Sequence, residues 1–266
     1  MINQSQYPKP IYTSANCIPS YKLTWSLSIF WRILLTQPDS SWLPSLQAAV
    51  EKDGVKILKH HSPGPRVSQF LISTKPNVLP RDAIRSVKGR LQYLLRDSYP
   101  KAFQRNYSLH SIGSAKREVV ENYVYSQLDH HRMADRKVQE RLKKYQIINT
   151  DINSTHPIQS AHGIYIYNLH LVIVNSGREV EIRDDILEKV KQTIIDTAEK
   201  KGYRLFAAGI FPDHLHLALG CSVNDAPETV ALSYLNNLAY AQGMRPVYQS
   251  GYFAGTYGEY DLGAIK

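Results

Sequence analysis

PRVSQFLIS, residues 65–73, and PDHLHLALG, residues 212–220, begin 147 positions apart and read as one strand written twice. Each opens on proline, which breaks what precedes it, and continues as a short apolar run of strand type. Two further landmarks keep nearly the same interval. The run from Tyr21 (YKLTWSLSIFW) returns at Tyr167 (YNLHLVIV), 146 positions on. Tyr107 in RNYSLHSIG returns as Tyr252 in SGYFAGTYG, 145 positions on. Three landmarks in register within two residues point to an internal duplication.

The segments between them repeat as well. Ser40 and Ser41 can cap a helix running to about Lys52, with Gly54 just past its end. In the second copy Asp184 and Asp185 precede the amphipathic run ILEKVKQTIIDTAEKKG, which Gly202 closes. Strands VKILKHH and VSQFLIS follow the first helix, and YRLFAAGIF and HLHLALG the second. Then comes another helix, RDAIRSVKGRLQYLLRD in one copy and APETVALSYLNNLAYAQG in the other, and a last strand. The order β-α-β-β-α-β predicts an α+β fold of two ferredoxin-like split βαβ modules, with antiparallel sheets and helices on one face. The first module spans 1–145 and the second 164–266. Residues 146–163 (QIINTDINSTHPIQSAHG) are polar and aperiodic and read as a linker.

The copies differ in two places. The first continues into a third helix from Ala115 to about His131, and the second has none. The second carries His214-Leu215-His216 where the first has Val67-Ser68-Gln69.

Charge divides the chain unevenly. The 266 residues carry a net charge of +9. Residues 1–150 hold 23 Lys/Arg against 10 Asp/Glu, and residues 151–266 hold 9 against 13. A surplus confined to one half suggests a polyanionic partner for that half. Arg81, Arg85, Lys88, Arg90, Arg96, Lys101 and Arg105 lie among Tyr93, Tyr99 and Phe103, a mixture suited to phosphates and stacked bases. Cys17 and Cys221 are the only cysteines, which excludes a disulfide framework and a cysteine zinc site. The polar N-terminus lacks the apolar core of a signal peptide, and the apolar stretch Leu23–Leu35 is interrupted by Arg32. We expect a soluble protein of a reducing compartment, with no membrane partner.

Two side-chain pairs can carry chemistry. In a strand, residues i and i+2 share a face, so His214 and His216 project side by side as a partial site for a divalent metal. On a helix, i and i+4 share a face, which aligns Tyr123 with Gln127. His170 reads as a packed histidine, and His130-His131 as an exposed helix end.

Together these features resemble the single-tyrosine HUH transposases, the insertion-sequence transposases and the REP-associated tyrosine transposases. The resemblance rests on Pro212-Asp213-His214-Leu215-His216-Leu217 and on the run Glu118–Gln127 (EVVENYVYSQ), preceded by Val87–Arg90 and Ser111–Ser114. It implies metal-dependent nicking and rejoining of single-stranded, hairpin-containing DNA through a 5′-phosphotyrosine. It makes Tyr123 the nucleophile, and His214, His216 and Gln127 the ligands of Mg²⁺ or Mn²⁺. It also implies a cytoplasmic, nucleoid-associated protein.

This chain departs from the family pattern, because its one His pair and its one tyrosine helix sit in different copies. Sites built within a copy would both be dead, whereas a site built across copies leaves one intact. We therefore expect a monomeric pseudo-dimer with one composite active site. Two rival readings remain open at this point: a domesticated, catalytically inactive hairpin-binding protein, and a hydrolase using the His pair with water.

Overall fold

Burial alternates along TWSLSIFW, so one side of this segment enters a core and the segment is held as a strand. HLHLALG, by contrast, is buried at every position, as expected where both sides of a sheet are covered. The computed structural model describes residues 9–34, 40–114, 116–130 and 136–259.

The first module contains β2 (Thr24–Trp31), α1 (Leu43–Glu51), β3 (Val55–Gly64), β4 (Val67–Thr74), α2 (Pro80–Leu95) and β5 (Phe103–Ile112). The second contains β9 (Asn168–Asn175), α5 (Asp184–Lys201), β10 (Arg204–Ile210), β11 (His214–Gly220), α6 (Pro227–Ala241) and β12 (Tyr248–Tyr257). Proline occupies the first turn of α1, α2 and α6, where its missing N–H costs nothing. Gly202 ends α5 in the left-handed conformation, φ +68°. Strand order is β3-β4-β2-β5 in one sheet and β12-β9-β11-β10 in the other, the same antiparallel arrangement twice.

The expectation of wholly antiparallel sheets is corrected at the edges. β1 (Ile18–Lys22), which precedes β2, pairs in parallel with β12 of the other module. β8 (Gly163–Ile166), which precedes β9, pairs in parallel with β5. Each module thus lends its leading strand to its partner's sheet. Buried hydroxyls fix the two crossings in matching ways. Thr256 Oγ1 accepts from Thr24 N at 2.7 Å and lies 2.7 Å from the Ile112 carbonyl. Ser111 Oγ accepts from Asn168 N at 3.0 Å and donates to the Tyr257 carbonyl at 2.7 Å. Trp25 meets Tyr167 edge-on across the junction, ring centroids 4.9 Å apart, and one hydrophobic core runs through both modules.

The region read as a linker is partly ordered into strands. β6 (Ile147–Ile148) pairs with β10, and β7 (Ile158–Ser160) folds back on β8. Beyond β5 lie α3 (Arg117–His130), close to the expected third helix, and α4 (Arg136–Lys143). Helices also depart from the one-face expectation. Leu215, Leu217 and Leu219 join the core that contains α5 and α6, whereas Ala218 packs with Val124 of α3. The second sheet is therefore sandwiched between its own helices and a helix from the first module.

Candidate active site

β11 carries His214 and His216 on the side that α3 covers, and both rings are buried, 7% and 5% exposed. Their counterparts in the first module are Val67 and Gln69. Val67 and Gln69 oppose Phe30 and Ser28 of β2, as His214 and His216 oppose Val174 and Val172 of β9. Gln69 donates to Ser26 Oγ at 2.8 Å. In the second module the same diagonal is spanned by His216 Nδ1 and His170 Nε2, 2.9 Å apart.

The two rings of the His pair lie 5.0 Å apart, centroid to centroid, steeply inclined to each other. Asp213 Oδ1 accepts from His214 Nδ1 at 2.6 Å. A carboxylate only accepts, so a proton sits on Nδ1, and in the neutral ring the lone pair falls on Nε2. Asp213 also accepts from Arg178 Nη1 at 3.0 Å. Burial raises the Asp213 carboxyl, but these two hydrogen bonds outweigh it and leave the group below the usual carboxylate range. Burial pushes His170 down to about 4, so at neutral pH it is an uncharged ring with one N–H. If His216 donates to it from Nδ1, the His216 lone pair also falls on Nε2. Phe211 stacks on His214 at 4.8 Å, and Phe253 meets His170 edge-on at 6.0 Å.

α3 is held over this surface at several points. Arg117 N donates to the Gly258 carbonyl at 2.7 Å, at the end of β12. Ser154 Oγ donates to Glu121 at 2.6 Å. Val120 and Val124 pack on Phe206, Ala207, Ala218 and Tyr257. Gly209, paired with His216 across the sheet, leaves room for the Phe211 ring, which a Cβ there would meet at 2.7 Å, and lies within ordinary contact distance of the Val124 carbonyl of α3. The outcome is that Tyr123, half exposed, sets its ring edge-on to His216 with centroids 5.6 Å apart. The helix does not return to Val67 and Gln69.

Gln127 follows one turn later in α3, and its side chain lies outside the described residues. His131 lies outside them too, as does the side chain of His130. Among the described residues no cluster of three or more His, Cys, Asp or Glu has the form of a metal site. Two neighbouring imidazoles do suit a divalent cation that takes its third protein donor from an amide. The predicted basic set divides. Arg81, Arg85, Lys88 and Arg105 line one cavity of about 760 Å³ between α2 and β5. Arg90 instead pairs with Asp53 at 3.0 Å, Arg96 lies over the Tyr93 ring, and Lys101 is exposed at the turn before β5.

Residues 164–266 match the family of IS200-like transposases. The IS200-like segment begins within β8 and contains all of β9–β12, and so both histidines. Among solved structures, a REP-associated tyrosine transposase bound to a REP hairpin is similar at 11% identity, with a TM-score of 0.31. That similarity covers 40% of this chain and 62% of the other, so the chain spans less than two thirds of that relative. A Deinococcus radiodurans R1 protein assigned as a transposase is similar at 18% identity, covering 40% of this chain and 84% of the other, with a TM-score of 0.30. A search of the curated proteins found no match. Among the described residues no helix is long and apolar enough to cross a membrane.

The sequence assigns no role to three parts of this site. His170, expected to pack, is also hydrogen-bonded to His216. Phe211 stacks on His214, and Asp213 holds a proton on His214 Nδ1. The Asp-His adjacency in Pro212-Asp213-His214 was the available signal.

Proposed function

We propose that the chain nicks and rejoins single-stranded DNA at one composite site, with Tyr123 from the first module and His214 and His216 from the second. The observation that carries this reading is the contact of the Tyr123 ring with the His216 ring across the module boundary. The match of residues 164–266 to a DNA-transposing family supports the substrate class.

In this reading Tyr123 Oη gives up its proton and bonds to the phosphorus of a phosphodiester, and the 3′-oxygen leaves and takes up a proton. The 5′ end is then held as a phosphotyrosine whose bond energy a DNA 3′-OH can use to rejoin. His214, His216 and the amide of Gln127 would hold Mg²⁺ or Mn²⁺, which would supply charge stabilisation at the scissile phosphate. Asp213 and His170 orient the two imidazoles through their Nδ1 atoms. Phe211, stacked on His214, shields that face of the ring from water. The two modules serve as a covalent pseudo-dimer, monomeric in solution and cytoplasmic, so a two-strand exchange takes two turnovers or two chains.

The test is incubation with hairpin-containing single-stranded DNA and Mn²⁺ or Mg²⁺, followed by denaturing electrophoresis. A covalent adduct is expected, lost in Tyr123→Phe and in His216→Ala. Cleavage without an adduct would replace this reading by a hydrolase. Binding with neither would leave an inactive hairpin-binding protein.

A further inference from the structure

The duplication allows each groove of one module to be compared with its counterpart in the other. In the second module the groove between α6 and β12 is filled by the chain itself. Residues 9–17, which lead into β1, lie there: Asn236 Oδ1 accepts from Ile11 N at 2.8 Å and Tyr12 N at 3.0 Å. Tyr12 OH donates to the Tyr248 carbonyl at 2.8 Å, and Tyr240 OH donates to the Lys9 carbonyl at 3.0 Å. The equivalent leader, which enters β8, does not take this course. Residues 158–160 pair as β7 with β8, and Ser160, Ala161 and His162 line a wall of the groove between α2 and β5 instead of filling it. The groove is thereby left open, and it is the 760 Å³ cavity described above.

Its chemistry has changed along with its occupancy. α2 and α6 both begin at a proline, Pro80 and Pro227. Counted from there, Glu228, Leu232 and Leu235 of the filled groove correspond to Arg81, Arg85 and Lys88 of the open one. On the facing strand Ser250 corresponds to Arg105. Four cations and no carboxylate line the open groove. Lys88 is tied to the Arg105 carbonyl at 2.9 Å, and burial lowers its pKa. Asp82, outside the lining, is the acid beside Arg81 and Arg85.

We infer that this groove is the seat of an extended single-stranded DNA segment, bound through its phosphates where the second module binds a stretch of its own chain. A channel that accommodates an extended peptide in one copy accommodates an extended phosphodiester in the other once its acidic, apolar and neutral positions have become cationic. This rests on the DNA reading above and adds to it a place for the strand that is distinct from the composite site.

The test measures non-covalent binding, so it does not depend on nicking. The full chain with Tyr123→Phe is titrated against a fluorescein-labelled oligo-dT of fifteen nucleotides, by anisotropy, from low to physiological salt. Adding Arg85→Glu and Arg105→Glu, both exposed, is expected to weaken binding at least tenfold. The slope of log affinity against log salt should become shallower by about 1.4, since each phosphate lost on a single strand contributes roughly 0.7. The gentler Arg85→Gln with Arg105→Gln should move both in the same direction, with an unchanged melting temperature showing that the fold is intact. Lys189→Glu with Lys200→Glu, an equal charge change on exposed positions of α5, should leave both nearly unchanged. Equal losses in the two sets, or no loss in the groove set, overturns the inference. So does displacement of the oligonucleotide by polyglutamate at equal charge. If the parent chain forms its adduct while the groove variants bind normally, the groove alone is refuted. If the groove variants lose binding and no adduct forms under any condition, the groove stands and the nicking reading falls.

Discussion

At the scale of single residues, the candidate site depends on small groups that hold larger ones in place. Asp213 fixes the tautomer of His214 through one short hydrogen bond. Removing such a carboxylate from behind a ligating imidazole typically costs about 10–100-fold in metal affinity. Asp213→Ala should therefore weaken Mn²⁺ binding by that order in calorimetric titration, while Asp213→Glu restores part of it. Gly209 acts through space rather than through a bond. A methyl group there collides with the Phe211 ring, which stacks on His214, and overpacking of this kind costs about 1–3 kcal/mol. Gly209→Ala should lower the urea midpoint modestly and reduce the yield of covalent adduct, because the ring packed on His214 is displaced. An adduct at wild-type yield would show that His214 is not positioned through Phe211.

At the scale of elements, the reciprocal strands β1 and β8 depend on two hydroxyls. Ser111→Ala removes the acceptor of the Asn168 N–H and the donor to the Tyr257 carbonyl. Buried partners left unsatisfied cost about 1–3 kcal/mol. Ser111→Ala and Thr256→Val should each destabilise the fold by that amount in urea unfolding, and Ser111→Thr should cost less. The same elements show where sequence reading reached and where it stopped. β2, β4, β9 and β11 were legible because burial imposes a pattern on their residues. The pairings of β1 and β8 were not, because short edge strands carry little burial pattern: Ile18 is 80% exposed, and the hydroxyls that fix the crossings sit in other strands. α3 was legible as a helix, and its placement over the other module followed from the division of Tyr123 and His216 between copies. No periodicity carried the change from a filled to an open groove, which depends on where residues 158–160 turn.

At the scale of the whole molecule, half-buried histidines make the fold acid-sensitive. His60 lies between Trp42 and Phe70, ring centroids 4.9 and 4.8 Å away, and burial lowers its pKa. Burial lowers His110 as well, against a small opposing effect of Glu259. The unfolded chain protonates such rings near pH ~6.5, while the folded chain resists. The stability they contribute is complete above that pH and declines as pH falls towards the depressed folded values. The melting temperature should therefore drop between pH 7 and pH 5, and drop less in His60→Phe. An identical pH profile in that variant would show that His60 carries none of the effect.

The exchanged strands also govern how the chain comes apart. A module that melted alone would take with it an edge strand of the other sheet and reopen the shared aromatic contact between Trp25 and Tyr167. Neither half then has a free-energy basin of its own in which to wait. Heating should produce one calorimetric peak whose van't Hoff and measured enthalpies agree for the whole chain, not a broad sum of two. Two copies of one strand arrangement are in this sense a single thermodynamic body.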